Sequence, residues 1–502
     1  MVPGEPERDP ATASSTAAPS LTYSPAYIDN RIASSDTIDP RLLFHGFMDP
    51  YFGMSLDDGG MDDNFSLDMD LDFPTTGTLP LSSIASAPTT QDMLTPRVIS
   101  LEADLLQLVA SQPGPVTTLY SACKSFFSSA DFHRLISVFF RRQQLLAKMI
   151  HWPTFDAAQV DVSLLLAIAL CGVAYVQSSP SNSSTKHATA KLVSSASAIQ
   201  PLAEKYIFKR LKTICQKQKQ NTAKDIHALE ICQAAYLVVL LQISVNDSDN
   251  TTRRRAMTKC QPALVDALRH LGILTKRPSL SATTSSAERW CAFVYNESCS
   301  RLALWVFFSD GFLALFCNAP PNTTVAEMTG AFPCRDELWD AVSAELFEEE
   351  QKNDGQHSPL PFVKDVLSAL MGENEDAWQS PASQALTVFH LYSVVGALQF
   401  VLFTYRFNAL PPTFGNVLLR ALDRWDRLWT AALARVAPHQ QRWLGVAKYS
   451  PEFARIAKRI IEVSEGRGDG RSSNSVGDKY LQCTPEYDLR VFHAFILEYG
   501  TP

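Results

Sequence analysis

The sequence predicts an all-α protein: a multi-helix bundle preceded by a disordered acidic N-terminal region. Three observations carry the prediction. From about residue 101 onward, apolar residues recur three and four apart, the period of a buried helix face. Alternating apolar–polar runs and Asn-Gly turns, the marks of strands and hairpins, are nearly absent. Residues 1–100 carry 15 Asp/Glu against 4 Arg and no Lys, amid Ser, Thr and Pro. Such a stretch buries too little apolar surface to offset its chain entropy.

Inside that acidic region lies Asp49–Phe73, DPYFGMSLDDGGMDDNFSLDMDLDF, with eight Asp and no basic residue. From Leu67 onward apolar residues and Asp alternate strictly. Mutual repulsion of the carboxylates keeps such a chain open and leaves its apolar side chains available to a basic, apolar groove on a partner. Acidic–hydrophobic alternation is the compositional mark of an activation segment. The candidate contact residues are Phe52, Leu56, Phe65, Leu67, Met69, Leu71 and Phe73. A plain acidic linker is the alternative, and it would carry fewer apolar residues.

The helices follow in order. Ser100 precedes LEADLLQLVA, in which Leu101, Leu105 and Leu108 share a face. Asp131–Met149 places Phe132, Leu135, Ile136 and Phe139 on one side, and Val160–Val176 is apolar throughout. After a Ser-rich loop around Ser178–Thr185, residues 225–245 are apolar almost all round, as in a helix buried on most faces. Ala256–Leu271 is amphipathic and stops at Gly272; Glu288–Cys317 is the most aromatic stretch. Leu386–Phe407 and Asn416–Val436 read as helices, and Ser450-Pro451-Glu452 starts one that ends at Gly466. The expected division is 1–100 acidic and disordered, 101–466 helical domain, 467–502 flexible loop and C-terminal segment.

The 502 residues carry a formal charge of −8, which argues against the whole chain being a polyanion binder. Ten cysteines without a Cys-x-x-Cys pair, and an N-terminus without a basic start and apolar stretch, point to a reducing, intracellular setting. Val162–Val176 is too short to span a bilayer, and Leu386–Phe403 is interrupted by His390, Gly396 and Gln399, so no membrane association is expected.

Catalytic signatures are missing: there is no Gly-x-Ser-x-Gly, no phosphate loop and no His-Glu-x-x-His. Gly466–Gly470 follows a helix instead of a strand, and Ser121-x-x-Lys124 stands alone. The histidines, among them His133, His151, His227, His270 and His390, are scattered singly, so no metal site and no cofactor is read in this chain. No enzyme is expected. Two basic runs, Lys205–Lys219 and Arg253-Arg254-Arg255, read as solvated helix faces, with phosphate contact or nuclear import as alternatives.

Four blocks in series resemble the fungal-specific transcription factor domain, the regulatory region of many fungal zinc-cluster and zinc-finger transcription factors. Met149–Asp156, with His151, Pro153 and Phe155, looks like the family's entry motif, and Leu164–Tyr175 is similar to the helix after it. Leu229–Gln242, Arg253-Arg254-Arg255 and Leu264–Leu274 resemble its apolar helix, basic turn and ending. The fourth block runs from Trp290 through Glu297-Ser298, Arg301, Asp310 and Pro320-Pro321 to Trp339. The motif residues singled out as structural are His151, Pro153, Phe155, Trp290, Glu297, Arg301, Pro321 and Trp339. Pro153 sets a turn that His151 and Phe155 plug, and Glu297 and Arg301, four apart, pair on one helix face.

The resemblance implies a nuclear transcription regulator acting on RNA polymerase II promoters of a metabolic or secondary-metabolite gene set. It implies contact with transcription machinery or a coactivator, and homo- or heterodimerisation of the helical domain. Family members carry a zinc DNA-binding module near the N-terminus, whereas this sequence has no Cys before Cys123. Zinc is therefore expected only with a module missing from this chain, and promoter DNA is reached directly through it or through a partner. The alternative is a ligand-binding co-regulator without DNA binding of its own, with the aromatics of Trp290–Phe316 lining a cavity.

Overall fold

A computed structural model describes residues 88–111, 116–143, 148–177, 186–217, 226–243, 250–276, 285–330, 332–354, 361–408, 410–441, 444–466, 476–482, 485 and 489–499; among them every regular element is helical. The candidate activation segment, residues 49–73, lies outside the described residues.

The first helices are α1 (Pro88–Ala110), α2 (Val116–Phe126), α3 (Ser129–Gln143), α4 (Val162–Gln177), α5 (Lys186–Lys217) and α6 (Ile226–Ile243). α4 and α6, apolar on nearly every side, form the centre; α3 and α5 pack against α4, and α1 and α2 close over α5. The sequence places the first helix start at Ser100, but α1 begins at Pro88 and contains Pro96. The reason is burial: Leu94 and Val98 extend the face of Leu101, Leu105 and Val109, and all five sit in the core. Ser100, exposed, is an interior helix residue. Tertiary contact overrides a local start signal and the lost hydrogen bond at proline.

The expected single helix Ala256–Leu271 is compound. A short α7 (Asn250–Arg255) passes through a π turn, Ala256–Cys260, into α8 (Gln261–His270). Pro262, at the start of α8, has no amide hydrogen to continue the ladder, and the wider turn precedes it.

The second group is organised around α9 (Ser286–Cys317), a 32-residue helix opened by a reciprocal cap between Ser285 and Glu288. Short helices follow: α10 (Asp336–Trp339), α11 (Ala344–Asp354), α12 (Val363–Met371), α13 (Glu375–Trp378) and α14 (Pro381–Gln384). Then come α15 (Val388–Phe407), α16 (Pro412–Leu433), α17 (Pro438–Gln441) and α18 (Ser450–Ser464). α15 crosses α9 closely, because a Cβ on Gly311 would stand 2.7 Å from the carbonyl oxygen of Gly396 and 2.6 Å from Cε2 of Phe400. The two groups share one core: Tyr236 of α6 makes a 2.7 Å hydroxyl bond to Ser309 of α9 and donates to the Trp305 carbonyl at 3.2 Å.

The region 467–502, read from sequence as loop and tail, contains two more helices, α19 (Val476–Leu481) and α20 (Leu489–Tyr499). They are part of the core. Tyr480, Phe492 and Phe495 are fully buried, and Asn318, the left-handed C-cap of α9, donates through Nδ2 to the Tyr480 carbonyl at 2.9 Å. By length and composition α6, α9 and α15 could each cross a membrane; here most of their surface is buried inside the bundle.

Candidate functional site

The first half of α9 projects Glu297 and Arg301 from successive turns toward the Trp339 ring and the backbone of Cys334 and Lys148. Arg301 is 3% exposed. Its Nε donates to Glu297 Oε1 at 2.8 Å, and its Nη2 donates to the Cys334 carbonyl at 3.0 Å. Its Nη1 reaches the Lys148 carbonyl at 3.4 Å and lies 3.7 Å from the Asp336 carboxylate. The guanidinium lies 4.5 Å from the Trp339 ring centre, a cation–π contact. Glu297 Oε1 in turn accepts from the Cys334 amide at 2.9 Å. At the rim, Lys148 Nζ donates to Asp336 at 2.9 Å and lies 3.5 Å from Asp340.

Two histidines hold the same chain segment from either side. His151 Nε2 meets the Trp339 carbonyl at 2.8 Å, and its Nδ1 meets the Thr154 hydroxyl at 2.9 Å. His390 Nε2 meets the Pro333 carbonyl at 2.9 Å, while its Nδ1 accepts the Thr387 amide hydrogen at 3.1 Å, capping α15. A carbonyl cannot donate, so both rings carry their proton on Nε2. Burial pushes both imidazoles down to about 4. They are neutral donors, and burial also pushes the nearby Cys334 thiol well up, away from reactivity.

The structure thus brings together His151, Trp290, Glu297, Arg301 and Trp339, with His151 edge-on to Trp339 at 4.7 Å and to Trp290 at 6.0 Å between ring centres. Pro153 lies in the short 3-10 turn Trp152–Thr154, and Phe155 packs on Phe140. Pro321 stands apart, in the loop after α9 that Asp310 holds. Asp310 is buried and accepts from the Asn322 amide (2.5 Å) and side chain (2.8 Å), and from the Thr323 amide (2.6 Å) and hydroxyl (2.9 Å). Burial pushes its carboxyl up to about 6 against these four donors. Sequence reasoning missed Lys148, Asp336 and the role of His390. The one local sign was Thr387, three residues before His390 and just ahead of an apolar run.

What the arrangement does is fasten chain segments. Each of its charges lies beside an opposite one, and among the described residues no three His, Cys, Asp or Glu side chains converge on a point where a metal ion could sit. The aromatics of α9 fill space. Phe308 lies 3.8 Å from Tyr392 between ring centres, Phe312 lies 4.3 Å from Phe453, and Phe307 stacks on Phe400 at 4.4 Å. The enclosed space beside α9, lined among others by Leu274, Ser300, Leu304 and Phe332, has a volume of about 10 Å³. A groove of about 310 Å³ on α16 is lined by Arg420, Arg424 and Arg427. There Arg424 donates to the carbonyls of Leu370 and Gly372, and Arg420 to that of Met371, so these two close the C-terminus of α12. Arg253, in the basic run, is buried with Nε donating to the Ile243 carbonyl, and so is closed to phosphate contact.

Comparison with known proteins gives a family. Residues 136–425 match the fungal specific transcription factor domain, a span that contains every residue of the Arg301 cluster. The chain is 22% identical over 390 residues to "Transcription factor verF" of Penicillium polonicum, covering 72% of this chain and 51% of that protein. It therefore spans about half the length of this curated relative. No solved structure matches it.

Proposed function

Since the chain belongs to the fungal specific transcription factor domain family, we propose that it is a nuclear transcription regulator of a metabolic or secondary-metabolite gene set, with Asp49–Phe73 as its activation segment. The observation that supports this reading is one of order along the chain. An acidic segment with regularly spaced apolar residues precedes a family domain whose motif residues are spent on internal fastening. Such a domain presents a segment and leaves the contact with transcription machinery to it. Promoter DNA is reached through a zinc module or a partner, and the helical domain pairs with a second copy or a relative.

Deleting Asp49–Phe73 from the chain tethered to a reporter promoter abolishes activation and leaves the far-ultraviolet helix signal of the domain intact. Unchanged reporter output would sink the activation role. Chromatin occupancy of the tagged chain in its host then identifies the gene set as a few discrete promoters.

A further inference from the structure

Helix α5 turns one face to solvent over most of its length, and that face is basic. Lys205, Lys209 and Lys212 fall at i, i+4 and i+7, and Lys191 lies four turns earlier on the same side. Lys217 projects from the flank that carries Tyr206. All five are exposed, and none pairs with a described acid. The only acid of α5, Glu204, is turned away to Arg255 at 2.7 Å and to Gln242. The half-buried ring of Phe208 borders the stripe.

The sequence carries a matching polyanion within a short tether of this face. α1 runs antiparallel to α5: Tyr206 donates to Asp104 at 2.9 Å, while Arg97, further toward the start of α1, donates to the carbonyl of Val160, next to the Asp161 that Arg210 holds at 2.5 Å. The N-terminus of α1 therefore points toward the end of α5 that carries Lys209, Lys212 and Lys217. Only residues 74–87 separate Phe73 from the first residue of α1. Fourteen residues reach at most about 48 Å when extended and about 20 Å on average as a flexible chain. A segment with eight Asp and no basic residue is thus tethered within reach of a row of lysines that pairs with no described acid. Tethering at this length gives an effective concentration on the order of millimolar, so a contact too weak to form between molecules forms within one.

From this placement we infer that the lysine face of α5 is the docking surface for the chain's own acidic segment, Asp49–Phe73. This deepens the activation reading, since a docked segment is withheld from transcription machinery until a partner competes for it. Asp carboxylates lie along the lysine row, and the apolar residues of the segment meet the Phe208 edge.

The test is amine acylation of the full chain read by peptide mass, with exposed Lys364 as internal reference. The comparison is a variant in which Asp57, Asp58, Asp62, Asp63, Asp68, Asp70 and Asp72 become Asn. Lys205, Lys209 and Lys212 should react at least about threefold more slowly in the parent chain, and the difference should vanish in roughly 0.5 M salt, where screening removes an exposed charge contact. Equal rates in the two proteins overturn the proposal. So does protection that fades on dilution, which reports a second copy, or protection that appears only on adding duplex DNA, which reports a phosphate surface. In the reporter assay Lys205→Glu/Lys209→Glu/Lys212→Glu raises output severalfold. Should deletion of 49–73 leave that output unchanged while lysine protection is present, the activation reading fails and the docking stands.

Discussion

Between Glu297 and Arg301, α9 holds its neighbours with directional bonds; between Phe307 and Phe316 it holds them with rings. The first half fixes Cys334, Lys148 and Trp339 through one guanidinium and one carboxylate. The second half is gripped by Phe400, Tyr392, Phe453 and Phe492. Burial of rings supplies most of the stabilisation per residue. A buried ion pair adds little net stability and much selectivity, because only the correct partners complete it. Five of the family's motif residues, His151, Trp290, Glu297, Arg301 and Trp339, meet at the polar half, while Asp310 fastens the loop of Pro321 from the aromatic half.

The comparison can be broken first with truncations. Arg301→Ala strands Glu297 in the interior and should cost about 3–5 kcal/mol, and Phe312→Ala, which opens a cavity, should cost a similar amount, about 3–5 kcal/mol. The halves differ in rescue. Arg301→Met with Glu297→Gln removes both charges and keeps an acceptor for the Cys334 amide, so urea unfolding should show most of the loss recovered. Phe312→Ala with Phe453→Ala should lose more than either alone. A double variant at Glu297 and Arg301 no better than Arg301→Ala would show that a stranded charge is not what the polar half is sensitive to.

Acid sharpens the contrast. His151 and His390 are held down near 4 by burial, whereas in the unfolded chain they take a proton near 6.5. Between those values the unfolded chain binds more protons, so stability present above about pH 6.5 is lost as pH falls toward 4. Asp310, raised to about 6 by burial, works the opposite way, since the folded chain keeps its proton there. Two histidines outweigh one carboxyl. His390→Gln retains an acceptor for the Thr387 amide and a donor for the Pro333 carbonyl but does not titrate. It should remove on the order of 3 kcal/mol of the loss between neutral pH and pH 4, read from unfolding midpoints across that range. An unaltered slope would exclude His390 as a source.

The smallest effect belongs to the crossing of the aromatic half. Gly311→Ala places a methyl against the Gly396 carbonyl oxygen. The forced shift of α15 should cost about 2 kcal/mol despite alanine's better helix propensity. A neutral result in thermal unfolding would show that α9 and α15 can move apart freely.

The aromatic half was legible in the sequence because burial writes itself as periodicity: Phe308, Phe312 and Phe316 are four apart. The Glu297–Arg301 pair was legible for the same reason. Their partners were not. Lys148, Cys334 with Asp336, and His390 come from three separate segments, and nothing local marks residues that meet only after folding. Helix α5 was seen only at its basic end, since Pro201 and a Ser/Ala-rich start mask a buried face running from Leu192 to Leu211. α19 and α20 escaped because their core contacts rest on a few rings in short, interrupted stretches. Ser100 misled because a good cap residue is only a local preference.

The late position of α20 has a consequence for biosynthesis. Phe316 of α9 is covered by Phe492, whose helix begins about 170 residues after α9 ends. At roughly 5–20 residues per second, the ribosome leaves that ring uncovered for about 10–30 s. During that interval the end of the most aromatic helix is a ready site for association with other nascent chains or for capture by a chaperone. Covering of that end of α9 therefore waits until Leu489–Tyr499 has been made, and a stop codon ahead of Leu489 would yield a bundle with that end of α9 open.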